Sequence, residues 1–164
     1  MQPRRNSGHT LFELLVVIIV LVIIGGIVIP SSSVGAERKL DTLQVAMQDA
    51  INHAQALSYH QGATFGVRFD VAGQFFAVVN ENGTPVEDPL SHGDYVIRLN
   101  NPSPDMPSNV YIDYADFAGR PLAAFTEKGV LIVGGEVHIR AGDTPRWLVA
   151  DTATNTFMEI PAGP

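Results

Sequence analysis

Gly8-His9-Thr10-Leu11-Phe12-Glu13 runs directly into Leu14 to Ile29, LLVVIIVLVIIGGIVI, sixteen residues without a charge. A single acid, Glu13, stands at the head of the run, and a short polar leader, Met1 to Gly8, carries Arg4 and Arg5 ahead of it. As a helix rising ~1.5 Å per residue the run spans about 24 Å, or about 28 Å counted from Leu11. A bilayer core is roughly 30 Å thick, so the run spans a membrane once Leu11 and Phe12 are included. Glu13 then lies inside the hydrophobic segment. An ionisable group there is costly and marks a functional site, unless it snorkels to the headgroups one turn away and does nothing further.

A competing reading is an ordinary secretory signal. Arg4 and Arg5 form its basic region, and Val34-Gly35-Ala36 is a passable small-residue cleavage site, which would release a soluble binding domain beginning at Glu37. Such a domain would offer residues 80–93 and 100–108 as its contact surface. Two features argue against it. The apolar core exceeds the usual length of roughly 7–15 residues, and a secretory signal rarely carries an acid at its head.

Of the 164 residues, none is cysteine, so an exported domain holds together without disulfides. Net charge is −7; setting aside Arg4, Arg5 and Glu13 leaves 16 acids against 8 bases, or −8, for the part from Glu37 onward. Nucleic-acid binding requires a basic face, which excludes a nucleic acid as partner. Arg4 and Arg5 on one side of the apolar run balance Arg38 and Lys39 on the other, so charge alone does not orient it.

Further along, Gly25, Gly26 and Pro30 interrupt the apolar helix, and Pro30 predicts a kink. Ser31-Ser32-Ser33 reads as the exit from the membrane. From Val34 to His60, Leu40, Leu43, Met47, Ala50, Ile51, Ala54 and Leu57 recur at three- and four-residue spacing, the stripe of an amphipathic helix. After Gly62 the period becomes two. Strands are expected at 64–69 and 74–79, joined by a turn at 70–73, then at 94–99, 109–114, 135–140, 146–150 and 156–160. Short strands without intervening helices imply one antiparallel sheet, hence an α+β fold with the long helix packed on it. Exposed loops are expected at 80–93 and 100–108.

No pattern for catalysis stands out, and no small-molecule substrate or cofactor is implied. His9, His53, His60, His92 and His138 form no metal-spaced pair, and no cysteine could join them. His53 and His60 read as surface or interface residues. Asp113 with Asp116, and His92 with Asp94, lack the regular ligand spacing of a calcium loop and read as a strand end and a solvated loop. No P-loop, dinucleotide fingerprint or nucleophile elbow is present.

The segment Gly8-His9-Thr10-Leu11-Phe12-Glu13 with its apolar helix resembles the type III signal sequence of type IV pilins and type II secretion pseudopilins. His9 stands where that family usually has Phe; the other positions agree, as does a proline 21 residues after His9. The hairpin FGVRFDVAGQFFAVV and the turn Phe117-Ala118-Gly119-Arg120-Pro121 look most like the GspH/FimT group of minor pseudopilins. The resemblance implies a pilin-like fold in which residues 1–8 are a leader, 9–30 a transmembrane and assembly helix, and 31–164 a periplasmic domain. It implies cleavage by a prepilin peptidase between Gly8 and His9, and N-methylation of His9. It implies a single-pass anchor in the bacterial inner membrane with a cytoplasmic N-terminus, and partnership with other pseudopilins or pilins in a filament. Glu13 would pair with the N-terminal amine of a neighbouring subunit. A minor type IV pilin is the alternative, because the two systems share this signal. The calcium site of the major pseudopilins is not carried over, since residues 156–164 offer only Glu159.

Overall fold

The computed structural model of the chain describes residues 32–101 and 106–160. The expected leader, the apolar helix and its Pro30 kink lie outside these residues. Among those described, no helix is long and apolar enough to cross a membrane. Gly35–Pro164 forms one compact unit.

Helix α1 spans Ser32–Gln61, so Ser32 and Ser33 belong to it, two residues ahead of the expected start. Its stripe of Leu40, Leu43, Met47, Ala50, Ile51 and Ala54 is buried, with Leu57 packed at the margin. The opposite face carries the exposed Asp41, Thr42, Asp49 and Asn52. Gly62 ends the helix in the left-handed region, φ +60°, with its N–H donating to the Ser58 carbonyl at 3.0 Å. The buried Ser58 hydroxyl accepts the Phe65 N–H at 3.1 Å, which starts the first strand one turn beyond the helix.

The strands are β1 (Phe65–Asp70), β2 (Phe75–Asn80), β3 (Val96–Arg98), β4 (Val110–Asp116), β5 (Leu122–Phe125), β6 (Gly135–Ala141), β7 (Thr144–Asp151) and β8 (Thr156–Ile160). They form two antiparallel sheets of four strands, ordered β3-β2-β1-β5 and β4-β6-β7-β8. The single sheet expected from sequence is therefore corrected to two, and β5 had no counterpart among the expected strands. The chain crosses between the sheets after β3, after β4 and after β5, the second time at Phe117–Pro121. There Ala118 and Gly119 both adopt positive φ, and Phe117 N–H donates to the Arg120 carbonyl at 2.7 Å. This reversal carries the chain from β4 in one sheet to β5 in the other.

Both sheets contribute to one core with the helix. Phe117 stacks on Phe69 of β1 at 5.8 Å, and Phe69 meets Phe157 of β8 edge-on at 6.2 Å, so one aromatic group joins the turn and both sheets. Gly66 is required by close approach: a Cβ would lie 2.6 Å from the Ala123 carbonyl oxygen on β5.

Exposed sheet edges invite pairing with foreign strands, and here side-chain amides occupy parts of them. The Gln74 side chain donates to the Ile112 carbonyl at 2.9 Å and accepts the Ile112 N–H at 3.0 Å on edge strand β4. Asn100 Oδ1 accepts the Val110 N–H at 3.2 Å on the same strand. On edge strand β8, Gln48 of the helix accepts the Phe157 N–H at 3.0 Å.

Candidate functional site

Gly8, His9, Glu13 and Pro30, the residues singled out by sequence, lie outside the described residues. What the described part shows is how the domain is fixed to its helix and which polar groups remain open.

Arg146 lies on β7 at an inward-facing position of the strand, between the exposed Pro145 and the half-buried Trp147. Its side chain is only 6% exposed. The guanidinium donates from Nη2 to Glu37 Oε2 at 2.6 Å, and from Nη1 to Asp41 Oδ1 at 2.7 Å and Gln44 Oε1 at 3.0 Å. Glu159 of β8 stands 3.5 Å from Nε. Glu37, Asp41 and Gln44 occupy successive turns on one side of α1, so a single cation ties the start of the helix to two strands. Burial pulls the guanidinium pKa down, but the hydrogen bonds to Asp41 and Glu37 outweigh it and the net shift is upward. The residue stays charged. Sequence reasoning missed this cluster. The available signal was an arginine at an inward strand position in PRWLVAD, with two acids four residues apart on the helix.

The residues considered for acid/base or metal chemistry are engaged elsewhere. Asp113 forms a two-point pair with Arg140, at 2.9 and 3.2 Å, and this pair raises the Arg140 pKa. Asp116 Oδ1 accepts the Gly119 N–H at 2.8 Å in the sheet-switching turn. His138 stacks on Trp147 at 4.6 Å and meets the tilted Tyr114 ring at 4.9 Å. His53 is half-buried, stacked on Tyr95 at 5.1 Å, while His60 is exposed beside Tyr59. No group of acids and histidines able to hold a metal ion occurs among the described residues.

The connection from β2 to β3, expected as an exposed loop, is exposed over most of its length and is braced by two isolated bridges. Val79 bridges Pro85 and Glu87 bridges Asp94. At its far end Asp88 uses both carboxylate oxygens on its own loop, accepting the Leu90 N–H at 3.0 Å and the Ser91 hydroxyl at 2.7 Å. The Ser91 and Leu90 bonds hold the Asp88 pKa below its usual 3.8. Beside the loop, burial raises the Tyr95 pKa, with the Asp49 and Asp88 carboxylates adding to the shift. Of the second expected loop, residues 102–105 lie outside the described residues.

Residues 3–29 match the prokaryotic N-terminal methylation motif. Among solved structures, the chain is similar to the Pseudomonas aeruginosa type IV minor pilin FimU, with 16% identity and a TM-score of 0.47 over 74% of this chain and 90% of that one. No curated protein matches the chain.

Proposed function

We propose that the chain is a structural subunit of pilin type, a minor pseudopilin of a type II secretion filament. The observation that carries this reading is the N-terminal methylation motif over residues 3–29, a stretch that includes Gly8 to Glu13. A prepilin peptidase cuts between Gly8 and His9 and methylates the new amine. Residues 9–30 stay in the product as its inner-membrane anchor, and the domain from residue 31 lies in the periplasm. Glu13 pairs with the amine of a neighbouring subunit. An unpaired carboxylate in a low-dielectric setting is expensive and a paired one is tolerated, so the acid sets the stagger between subunits.

Expression of Glu13→Ala beside the wild-type chain tests the reading. The variant should insert and be processed as the wild type is, and be lost from the sheared filament fraction. Normal incorporation would contradict it. The secretion or pilus components that co-purify with the wild-type filament identify which of the two systems the chain serves.

A further inference from the structure

Asn82-Gly83 is the one Asn-Gly pair in the chain, and it lies in the turn that leaves β2. Asparagine before glycine is prone to close into a succinimide, because glycine has no Cβ to keep its amide nitrogen away from the preceding side chain. Asn82 is exposed, so water reaches it.

The turn is nonetheless braced against that reaction. The Gly83 N–H, whose nitrogen would attack, donates to the Asn80 carbonyl at 2.9 Å. Asn80 Oδ1 accepts both the Asn82 N–H and the Thr84 N–H, each at 3.0 Å. The Asn80 N–H donates to the Thr84 carbonyl at 3.0 Å and closes the turn. From β1, Arg68 Nη1 donates to the Gly83 carbonyl at 3.3 Å. The backbone is therefore bonded on both sides of the Asn82–Gly83 peptide, and the Gly83 nitrogen is held with its proton engaged.

We propose that Asn82 is a site of spontaneous modification that the folded turn keeps dormant, with Asn80 as its guard. In the reaction the Gly83 nitrogen loses its proton and bonds to Asn82 Cγ, and the Cγ–Nδ2 bond breaks to release ammonia. Water then opens the ring, leaving aspartate or isoaspartate at position 82, with one more carboxylate and a mass greater by about 1 Da. No reagent other than water is consumed. The step proceeds from the opened turn, so its rate follows local opening of residues 80–84 and not unfolding of the whole domain. The isoaspartate product lengthens the backbone inside the bridge between Val79 and Pro85.

The test incubates the full chain in detergent at neutral pH and follows position 82 by peptide mass. The folded wild type should convert about tenfold or more slowly than the same chain unfolded in urea. Asn80→Ala should convert about tenfold faster than the wild type, the effect of two lost hydrogen bonds. Asn80→Asp keeps the oxygen acceptor and should match the wild type. Amide exchange in β1 and β2 checks that the alanine variant keeps its hairpin. If it does not, wild type in sub-denaturing urea decides: Asn82 conversion and Gly83 amide exchange should rise by the same factor. Folded wild type converting at the unfolded rate overturns the proposal. So does a folded alanine variant no faster than wild type, an aspartate variant as fast as the alanine one, or conversion that does not track Gly83 exchange.

Discussion

The Arg146 guanidinium on β7 lies 2.7 Å from the Asp41 carboxylate on α1, a bond between residues 105 positions apart. It is the centre of the cluster with Glu37, Gln44 and Glu159 that ties the first described turns of the helix to the sheet β4-β6-β7-β8. Its members are unequal: the arginine is buried, while Glu37, Asp41 and Glu159 are each about half exposed.

That inequality predicts the outcome of substitution. Arg146→Met leaves three carboxylates facing one another without their cation, but water reaches all three. The loss should be about 2 kcal/mol, below the full penalty for breaking a buried pair. Asp41→Asn removes one of several exposed partners and should cost less than about 1 kcal/mol. Urea midpoints of the two variants measure the difference. Equal losses would show that the cluster acts through Asp41 alone.

Gln74 combines a positive φ of 52° with a side chain that pairs both backbone groups of Ile112. Gln74→Ala keeps the backbone strain and loses both bonds to Ile112 and the one to the Val71 carbonyl, costing about 2 kcal/mol. Gln74→Gly loses the same bonds but relieves the strain, and should be the more stable of the two by roughly 1 kcal/mol. Thermal melts of the pair test the order. Alanine proving the milder substitution would contradict the strain argument.

Two glycines make opposite predictions. A Cβ at Gly135 collides with the Asp116 carbonyl and the Phe117 ring, one of them rigid backbone, so Gly135→Ala should cost about 3 kcal/mol or prevent folding. At Gly35, inside the helix, a Cβ meets nothing. Gly35→Ala should stabilise by roughly 0.5–1 kcal/mol through helix propensity. Denaturant unfolding of both variants checks the signs.

The Asp88 carboxylate has a lowered pKa in the folded chain. The unfolded state then binds more protons around the ordinary value, so stability of the loop around Asp88 rises with pH there. It is fully present above 3.8, the ordinary value, and is lost as the pH falls through the lowered folded value. The protection factor of the Leu90 amide, its exchange rate relative to the intrinsic rate at the same pH, should fall on acidification in that window, ahead of those in β6 and β7. Asp88→Asn should flatten the acid dependence. Tyr95 behaves in the opposite sense: its raised pKa contributes stability below 10.0 that is lost as alkalinity carries the pH through the folded value.

The helix was legible because Leu40, Leu43, Met47, Ala50, Ile51 and Ala54 hold a helical period in one uninterrupted segment, and both ends of that signal are local. Most strands were legible within two residues, although β3 occupies only Val96–Arg98 of the expected 94–99. β5 was not, since LAAF has two alanines where a strand normally shows branched or aromatic residues, and Pro121 precedes it. The split into two sheets depends on which distant strand receives each segment: the reversal at Ala118 and Gly119, for example, returns the chain to β1 of the first sheet. The Arg146 cluster eluded sequence reasoning for a similar reason: its ion pairs span 105 and 109 positions. The motif around Gly8 to Glu13 lies within a few consecutive residues, and it alone points to a function.

The most direct measurement is the N-terminus of the chain isolated from its native membranes, by intact mass and N-terminal sequencing. The account predicts a chain beginning at His9, carrying a methyl group on its amine and retaining the apolar run. A chain beginning at Glu37, or one still beginning at Met1, would contradict it.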